Sequence, residues 1–97
     1  MKRDENALYK YLKKHHTGGA NAVICKQLQL TFRLPESAIR RYVSTLRKEG
    51  VPICSSHFGY FYPETRSEVV DTVMRFDRYR MTLSATSDHL LYAAARI

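Results

Sequence analysis

The fold is decided by residues 23–63, whose sequence is VICKQLQLTFRLPESAIRRYVSTLRKEGVPICSSHFGYFYP. The first part of this segment contains two stretches with a helical spacing of apolar residues, separated by a short turn. The last part contains two short runs of β-branched and aromatic residues on either side of a turn that ends at Gly59. This order predicts two helices, a tight turn and a small hairpin.

The second of these helices is predicted over residues 35–48. Pro35 suits the first turn of a helix, Glu36 lies near its positive end, and Gly50 marks its C-terminal stop. One side of the helix should be buried, because its apolar residues follow the spacing i, i+3, i+4 and i+7. These apolar residues are Ile39, Tyr42, Val43 and Leu46. The opposite, outer side then carries Ser37, Arg40, Arg41, Ser44, Arg47 and Lys48.

The neighbouring elements follow from the same local signals. Asp4 is a candidate N-cap for a first helix, and Gly18 and Gly19 terminate that helix. Runs of β-branched and aromatic residues on both sides of a turn indicate strands. The predicted elements are a first helix over 4–15, a short strand over 21–23, a second helix over 24–31, strands over 51–55 and 60–62, and a turn over 56–59.

The segment LRKEGVPI at residues 46–53, followed by GY at 59–60, resembles the N-terminal DNA-binding domain of the biotin repressors and of related small bacterial and phage regulators. The apolar positions that share this pattern are Leu28, Phe32, Leu34, Ile39, Val43 and Leu46. The resemblance covers about residues 5–62 and implies a winged helix-turn-helix, in which one helix enters the DNA major groove. Ile24 and Pro35 depart from the pattern, because the family usually has small polar helix caps at these positions.

The chain has 97 residues, which is enough for one small domain and an appended helix. The predicted fold class is mainly α (α+β), a winged helix-turn-helix over residues 1–63 with a C-terminal helical extension over residues 64–97. The charge follows the same division. Residues 1–63 hold eleven Lys and Arg against four Asp and Glu, which gives +7, whereas residues 64–97 hold five of each. A domain that carries all of the net positive charge is expected to neutralise phosphates rather than only to aid solubility.

The helix predicted over residues 35–48, the third of the chain, carries the side chains that are expected to read DNA. Arginine can bond bidentately to guanine, and serine can reach bases or phosphates. The residues assigned to base or nearby backbone contacts are Ser37, Arg40, Arg41 and Ser44, and those assigned to phosphates are Lys26, Arg47 and Lys48. Glu36 either accepts a hydrogen bond from a cytosine amino group or caps its helix, and His57 at the hairpin tip can reach a phosphate or the minor groove. The alternative is a solvated face that contacts nothing.

The C-terminal extension opens with a capping box, Thr65 followed three residues later by Glu68. Its apolar residues follow an alternating spacing of four and three, which is typical of a packed helical track. The residues on that track are Val69, Val73, Phe76, Leu83, Leu90, Ala94 and Ile97. Two interpretations stay open: the track packs on its own domain, or residues 65–97 form a homodimer interface. Weak helix formers at residues 83–87 also leave open whether the extension is one helix or two.

Other chemistry finds little support in the sequence. Cys54 and His57 have the spacing of two zinc ligands, but a structural zinc site needs four, and Cys25 and Cys54 are expected to be small buried hydrophobes. A glycine-rich phosphate loop and a carboxylate pair are lacking, so the sequence predicts no enzyme, no cofactor and no small-molecule ligand. With no apolar run of membrane-spanning length and no signal-peptide pattern, we expect a cytoplasmic protein without a membrane partner.

These expectations combine into one functional hypothesis. The chain is predicted to be a DNA-binding protein of bacterial or phage type, either a transcriptional regulator or a replication or architectural accessory factor. Its expected partners are double-stranded DNA and a second copy of itself. The alternative is a winged-helix module for protein–protein interaction, which would dock through the aromatic residues Phe58, Tyr60, Phe61 and Tyr62.

Overall fold

A computed structural model of the chain describes residues 3–78, which form helices and one small antiparallel sheet, an α+β arrangement. Helices α1, α2 and α3 are followed by a hairpin of strands β1 and β2 and by a fourth helix, α4, whose described part covers residues 66–78. The bounds are α1 Arg3–His15, α2 Cys25–Phe32, α3 Glu36–Lys48, β1 Cys54–Ser56 and β2 Gly59–Phe61. The part of the predicted extension beyond residue 78 lies outside the described residues.

The three predicted N-terminal helices are confirmed to within one residue at each end, whereas the predicted strands are only partly right. Residues 19–21 form a single 3-10 turn, and only Val23 of the predicted first strand makes a bridge. Residues 51–53 do not extend β1, because the chain bends there. The N–H of Val51 donates to the Leu46 carbonyl at 2.9 Å and the N–H of Ile53 donates to the Val51 carbonyl at 2.9 Å. The intervening Pro52 has no N–H for a strand ladder.

The core lies between the three N-terminal helices and the hairpin. Leu8 and Leu12 of α1 face Ile39, Val43 and Leu46 of α3, and all five are at most 1% exposed. The predicted buried side of α3 is therefore confirmed, although Tyr42 is only half-buried. Because apolar burial contributes roughly 25 cal/mol per Å², this layer is the main source of stability in a domain of this size.

The turn between α2 and α3 is short and is held by backbone hydrogen bonds. Arg33 ends α2 in the left-handed conformation, with φ 55°, and the N–H of Leu34 reaches the Gln29 carbonyl at 3.1 Å. Pro35 then adopts an extended backbone, and its carbonyl accepts the N–H groups of Ala38 and Ile39. These bonds terminate one helix and start the next, so the turn sets the angle between α2 and α3.

The hairpin is tied to the chain that precedes α2. Ser56 pairs with Gly59, so His57 and Phe58 form the loop. On the other side of β2, Val23 and Tyr60 exchange two backbone hydrogen bonds of 2.8 Å each. The Val23 carbonyl thereby passes so close to Gly59 that a Cβ at this position would lie 2.1 Å from its oxygen. Glycine is required here for space as well as for its φ of +122°.

We expect Gly59→Ala to lower the free energy of unfolding by roughly 3 to 5 kcal/mol, because it adds both a backbone clash and an unfavourable φ. Gly50→Ala is the matched control, since Gly50 has φ +91° but nothing within 4 Å of its would-be Cβ. The control should lose only about 1 to 2 kcal/mol from the left-handed backbone. Urea unfolding followed by circular dichroism measures both values. Equal losses in the two variants would show that Val23 can move away from Gly59.

Helix α4 is attached to the domain at two places. The capping box is confirmed, because the N–H of Thr65 donates to Glu68 Oε1 at 3.1 Å and the N–H of Glu68 donates to Thr65 Oγ1 at 3.4 Å. The Glu68 carboxylate also accepts the N–H groups of Gly19 at 2.6 Å and Glu64 at 2.7 Å. One turn further, Thr72 Oγ1 bonds to the backbone N and O of Ser55, each at 3.3 Å. The described part of the extension therefore packs on its own domain.

The attachment through Glu68 should depend on pH. The backbone N–H groups of Glu64, Gly19 and Thr65 hold the pKa of the Glu68 carboxyl below its usual value. A carboxyl group whose pKa falls on folding stabilises the folded state above its unfolded pKa, and this contribution is lost as pH falls through the folded pKa. We expect Glu68→Gln to melt below the parent near pH 7, and the difference in Tm to shrink as pH falls through the folded pKa of Glu68. Glu64→Gln is the control, and a Tm difference for Glu68→Gln that is constant with pH would contradict this role.

Candidate nucleic-acid interface

The outer side of α3 is a continuous polar surface. Its buried side consists of Ala38, Ile39, Val43 and Leu46. Its exposed side chains are Glu36, Ser37, Arg40, Arg41, Ser44 and Lys48. Ser37, Arg40, Arg41 and Ser44 follow the spacing i, i+3, i+4 and i+7, which places them along one stripe of the helix. Of the six residues predicted on the outer side, all but Arg47 are exposed as expected.

Arg40 and Arg41 lie on the same stripe but have different neighbours. The Arg40 guanidinium forms an ion pair of 2.7 Å with Glu36 Oε1, and both side chains are largely exposed. Such an exposed pair contributes little to stability, so Arg40 can exchange this partner for a phosphate or a base. Arg41 lies over the ring of Tyr42 at 5.5 Å, and the Tyr42 hydroxyl donates to Asp4 of α1 at 3.5 Å. Arg40 lines the same groove as Ser56 and His57 of the hairpin, whereas Arg41 lies beside Tyr42, which contacts α1.

Arg47 does not lie on the outer side where the sequence pattern placed it. Its Nε donates to the Ile53 carbonyl at 2.8 Å, and Nη2 lies 3.5 Å from the Ser55 hydroxyl. The guanidinium also stacks 4.9 Å from the centroid of the Phe76 ring on α4. Burial lowers the pKa of Arg47, although nearby Tyr60 and Cys54 oppose the shift. Arg47 thus joins α3, the hairpin and α4, which explains its half-buried position.

The remaining candidates are Lys26 and His57, and both are exposed. Lys26 lies in the first turn of α2. His57 lies in the hairpin loop beside Phe58, at a ring centroid distance of 5.6 Å, and Phe58 is 71% exposed. The loop carries no Lys or Arg. The tip of the hairpin is therefore aromatic rather than cationic.

An open groove of about 550 Å³ lies between α3, the hairpin and α4. Arg40 and Arg47 line it from α3, His57 from the hairpin and Arg75 from α4. Sequence reasoning did not select Arg75, because the extension is neutral overall and its contacts with the hairpin depend on tertiary packing. The nearest local signal is the capping box of Thr65 and Glu68, which fixes where α4 begins. The start of the helix in turn determines which side of α4 carries Arg75.

Metal binding and thiol chemistry find no support among residues 3–78. No group of His, Cys, Asp and Glu within this range converges to hold a metal ion. Cys54 is buried and Cys25 is half-buried, and both are free thiols. Burial raises the pKa of the Cys54 thiol, which favours the unreactive protonated form.

Comparison with protein-family models, curated proteins and solved structures finds no match to this chain. The described helices include none that is long and apolar enough to span a bilayer. Function is therefore inferred from which side chains the fold exposes and which ones it engages in internal contacts.

Proposed function

We propose that this protein is a winged helix-turn-helix that binds double-stranded DNA, acting as a transcriptional regulator or as a replication or architectural accessory factor of bacterial or phage type. The observation that carries this proposal is the two-sided character of α3. One side packs into the core through Ile39, Val43 and Leu46, and the other exposes two arginines, two serines and a lysine. Arginine and serine are side chains that read base edges and phosphates.

The order of the elements supports this proposal. A short turn joins α2 to α3, as in a helix-turn-helix, and the hairpin that follows α3 occupies the position of a wing. The bridge between Val23 and Tyr60 adds a third chain segment to the edge of β2, opposite β1. The 13 residues of α3 span about 20 Å. An α-helix with its side chains is about 10 to 12 Å across, which fits a major groove about 12 Å wide.

The proposed roles differ among the candidate residues. Ser37, Arg40, Arg41 and Ser44 lie on the stripe that would face the bases, while Lys26 and Lys48 would contact phosphates. Glu36 holds Arg40 in the unbound protein and releases it to DNA. Because Arg47 is engaged with Ile53, we now assign it to positioning the hairpin against α3 rather than to a phosphate. His57 remains a candidate contact at the hairpin loop.

DNA binding should be salt-dependent and should require the outer side of α3. With Lys26, Arg40, Arg41 and Lys48 near the duplex, we expect log Kd to change with log salt with a slope of about 3 to 4 in magnitude. Arg41→Ala should weaken binding by about 1 to 3 kcal/mol if it makes a bidentate base contact. Fluorescence anisotropy of a labelled random duplex at several salt concentrations measures both quantities.

Lys10→Ala is the control for this experiment, because Lys10 is an exposed cation of α1 and not of α3. It should leave the affinity nearly unchanged, and circular dichroism should show that both variants are folded. A complete lack of duplex binding at low salt would contradict the proposed DNA-binding function. An Arg41→Ala variant with the parent's affinity would exclude Arg41 as a reader.

The proposed homodimer has support from the surface of α4. Val69 is half-buried toward its own domain, but Val70, Val73 and Met74 are 48%, 51% and 56% exposed. An exposed apolar strip of this kind suits pairing with a second copy, which would let two domains read two half-sites. Phe76, which is also on the predicted track, is 39% exposed and contacts Arg47 of its own domain. The track residues from Leu83 onward lie outside the described residues.

The dimer is tested by the mass of the full chain in light scattering. We expect a dimer at tens of micromolar and a monomer for the double variant Val70→Glu, Met74→Glu, since two carboxylates per chain would have to be desolvated in the interface. Asp71→Asn is the control, because it changes an exposed polar residue between them. A monomeric parent would contradict the proposal.

A role in protein–protein interaction is favoured by one observation, the 71% exposure of Phe58 at the hairpin tip. A large aromatic side chain in this position suits a partner protein as an anchor. Such a role does not require the cationic residues of α3. It therefore predicts that the salt titration with duplex DNA shows no binding.

A further inference from the structure

The groove between α3, the hairpin and α4 brings together positive charge from two helices. Its lining residues include Arg40, Arg47, Ser56, His57 and Arg75. Among the described residues that line it, none is Asp or Glu. A groove with this composition attracts an anion.

Arg75 reaches the groove because of the way α4 is docked. Thr72 is hydrogen-bonded to the backbone of Ser55, and Arg75 follows it by three residues, so both lie on the same side of α4. Arg75 is exposed, and within residues 3–78 it takes part in no ion pair. Arg40 is paired with Glu36 and Arg47 is bonded to Ile53. Arg75 is therefore the arginine of the groove that is most available to an incoming anion.

Arg75 also supplies a permanent positive charge, which the hairpin tip lacks. The loop residues His57 and Phe58 carry no permanent positive charge, so the hairpin alone is a weak electrostatic anchor for DNA. Arg75 lines the groove together with Ser56 and His57, and it also lines the adjoining groove together with Phe58. A cation thus stands beside the hairpin tip, but it comes from a different element.

We propose that α4 is part of the DNA interface, and that Arg75 binds a backbone phosphate of the duplex whose major groove receives α3. This inference rests on the proposed function and adds a contact that α3 and the hairpin do not provide. Arg40, His57 and Arg75 are all exposed, so the groove is open. An open groove suits a sugar-phosphate strand that passes through it better than a small anion that must be enclosed.

The test is a salt titration of DNA affinity for the full-length Arg75→Ala and Arg75→Lys variants. A lost phosphate contact should reduce the log–log slope by about 0.9 and weaken binding roughly tenfold at about 0.1 M salt, equally for different duplex sequences. Arg75→Lys should restore most of the slope, because it keeps the charge. Arg66→Ala is the matched control, since Arg66 is an exposed arginine of α4 that lines none of the grooves described above.

The outcomes separate this inference from the proposal on which it rests. If Arg75→Ala keeps the parent's slope while Arg41→Ala loses affinity, α4 is not part of the interface and the DNA-binding role stands. If the parent itself does not bind duplex at low salt, the proposed function fails and the inference fails with it. Thermal melting with millimolar inorganic phosphate provides the remaining arm. Stabilisation of the parent but not of Arg75→Ala, with unchanged DNA slopes, would assign the groove to a free anion and overturn the inference.

Discussion

The double hydrogen bond between Val23 and Tyr60 is the constraint on which the rest of the structure depends. It joins the chain just before α2 to the hairpin that follows α3, so the two helices are enclosed between segments that are paired to each other. Gly59 permits this pairing, because any side chain would collide with the Val23 carbonyl. Once this contact forms, the hairpin can lie only on one flank of α3.

Helix α3 has a buried side and an exposed side because of its helical periodicity. Its apolar side closes the core, and its polar stripe is left exposed by the same packing. Arg47 lies between the two sides and is half-buried. By donating to the Ile53 carbonyl it satisfies an acceptor at the bend after α3, and by stacking on Phe76 it extends the contact to α4. A single arginine therefore links three elements around the groove.

Helix α4 is attached to the N-terminal part of the structure through hydrogen bonds of Glu68 and Thr72. Glu68 gathers backbone N–H groups from the 3-10 turn and from its own helix start, and Thr72 bonds to the edge of β1. The described part of the extension is consequently a component of the domain and brings Arg75 to the groove. Its apolar side chains Val70 and Met74 are exposed.

The sequence by itself determined the three N-terminal helices, the buried side of α3 and the capping box at Thr65, because periodicity, proline, glycine and capping act over a few residues. Tertiary structure decided the rest. Arg47 repeats at the spacing of an outer residue, yet its partner is a carbonyl exposed by the bend at Pro52. Likewise, Arg75 belongs to a neutral segment and reaches the groove only because α4 docks on β1 through Thr72. The first contact depends on the bend at Pro52 and the second on residues 17 positions apart, so the helical spacing of the two arginines does not encode either one.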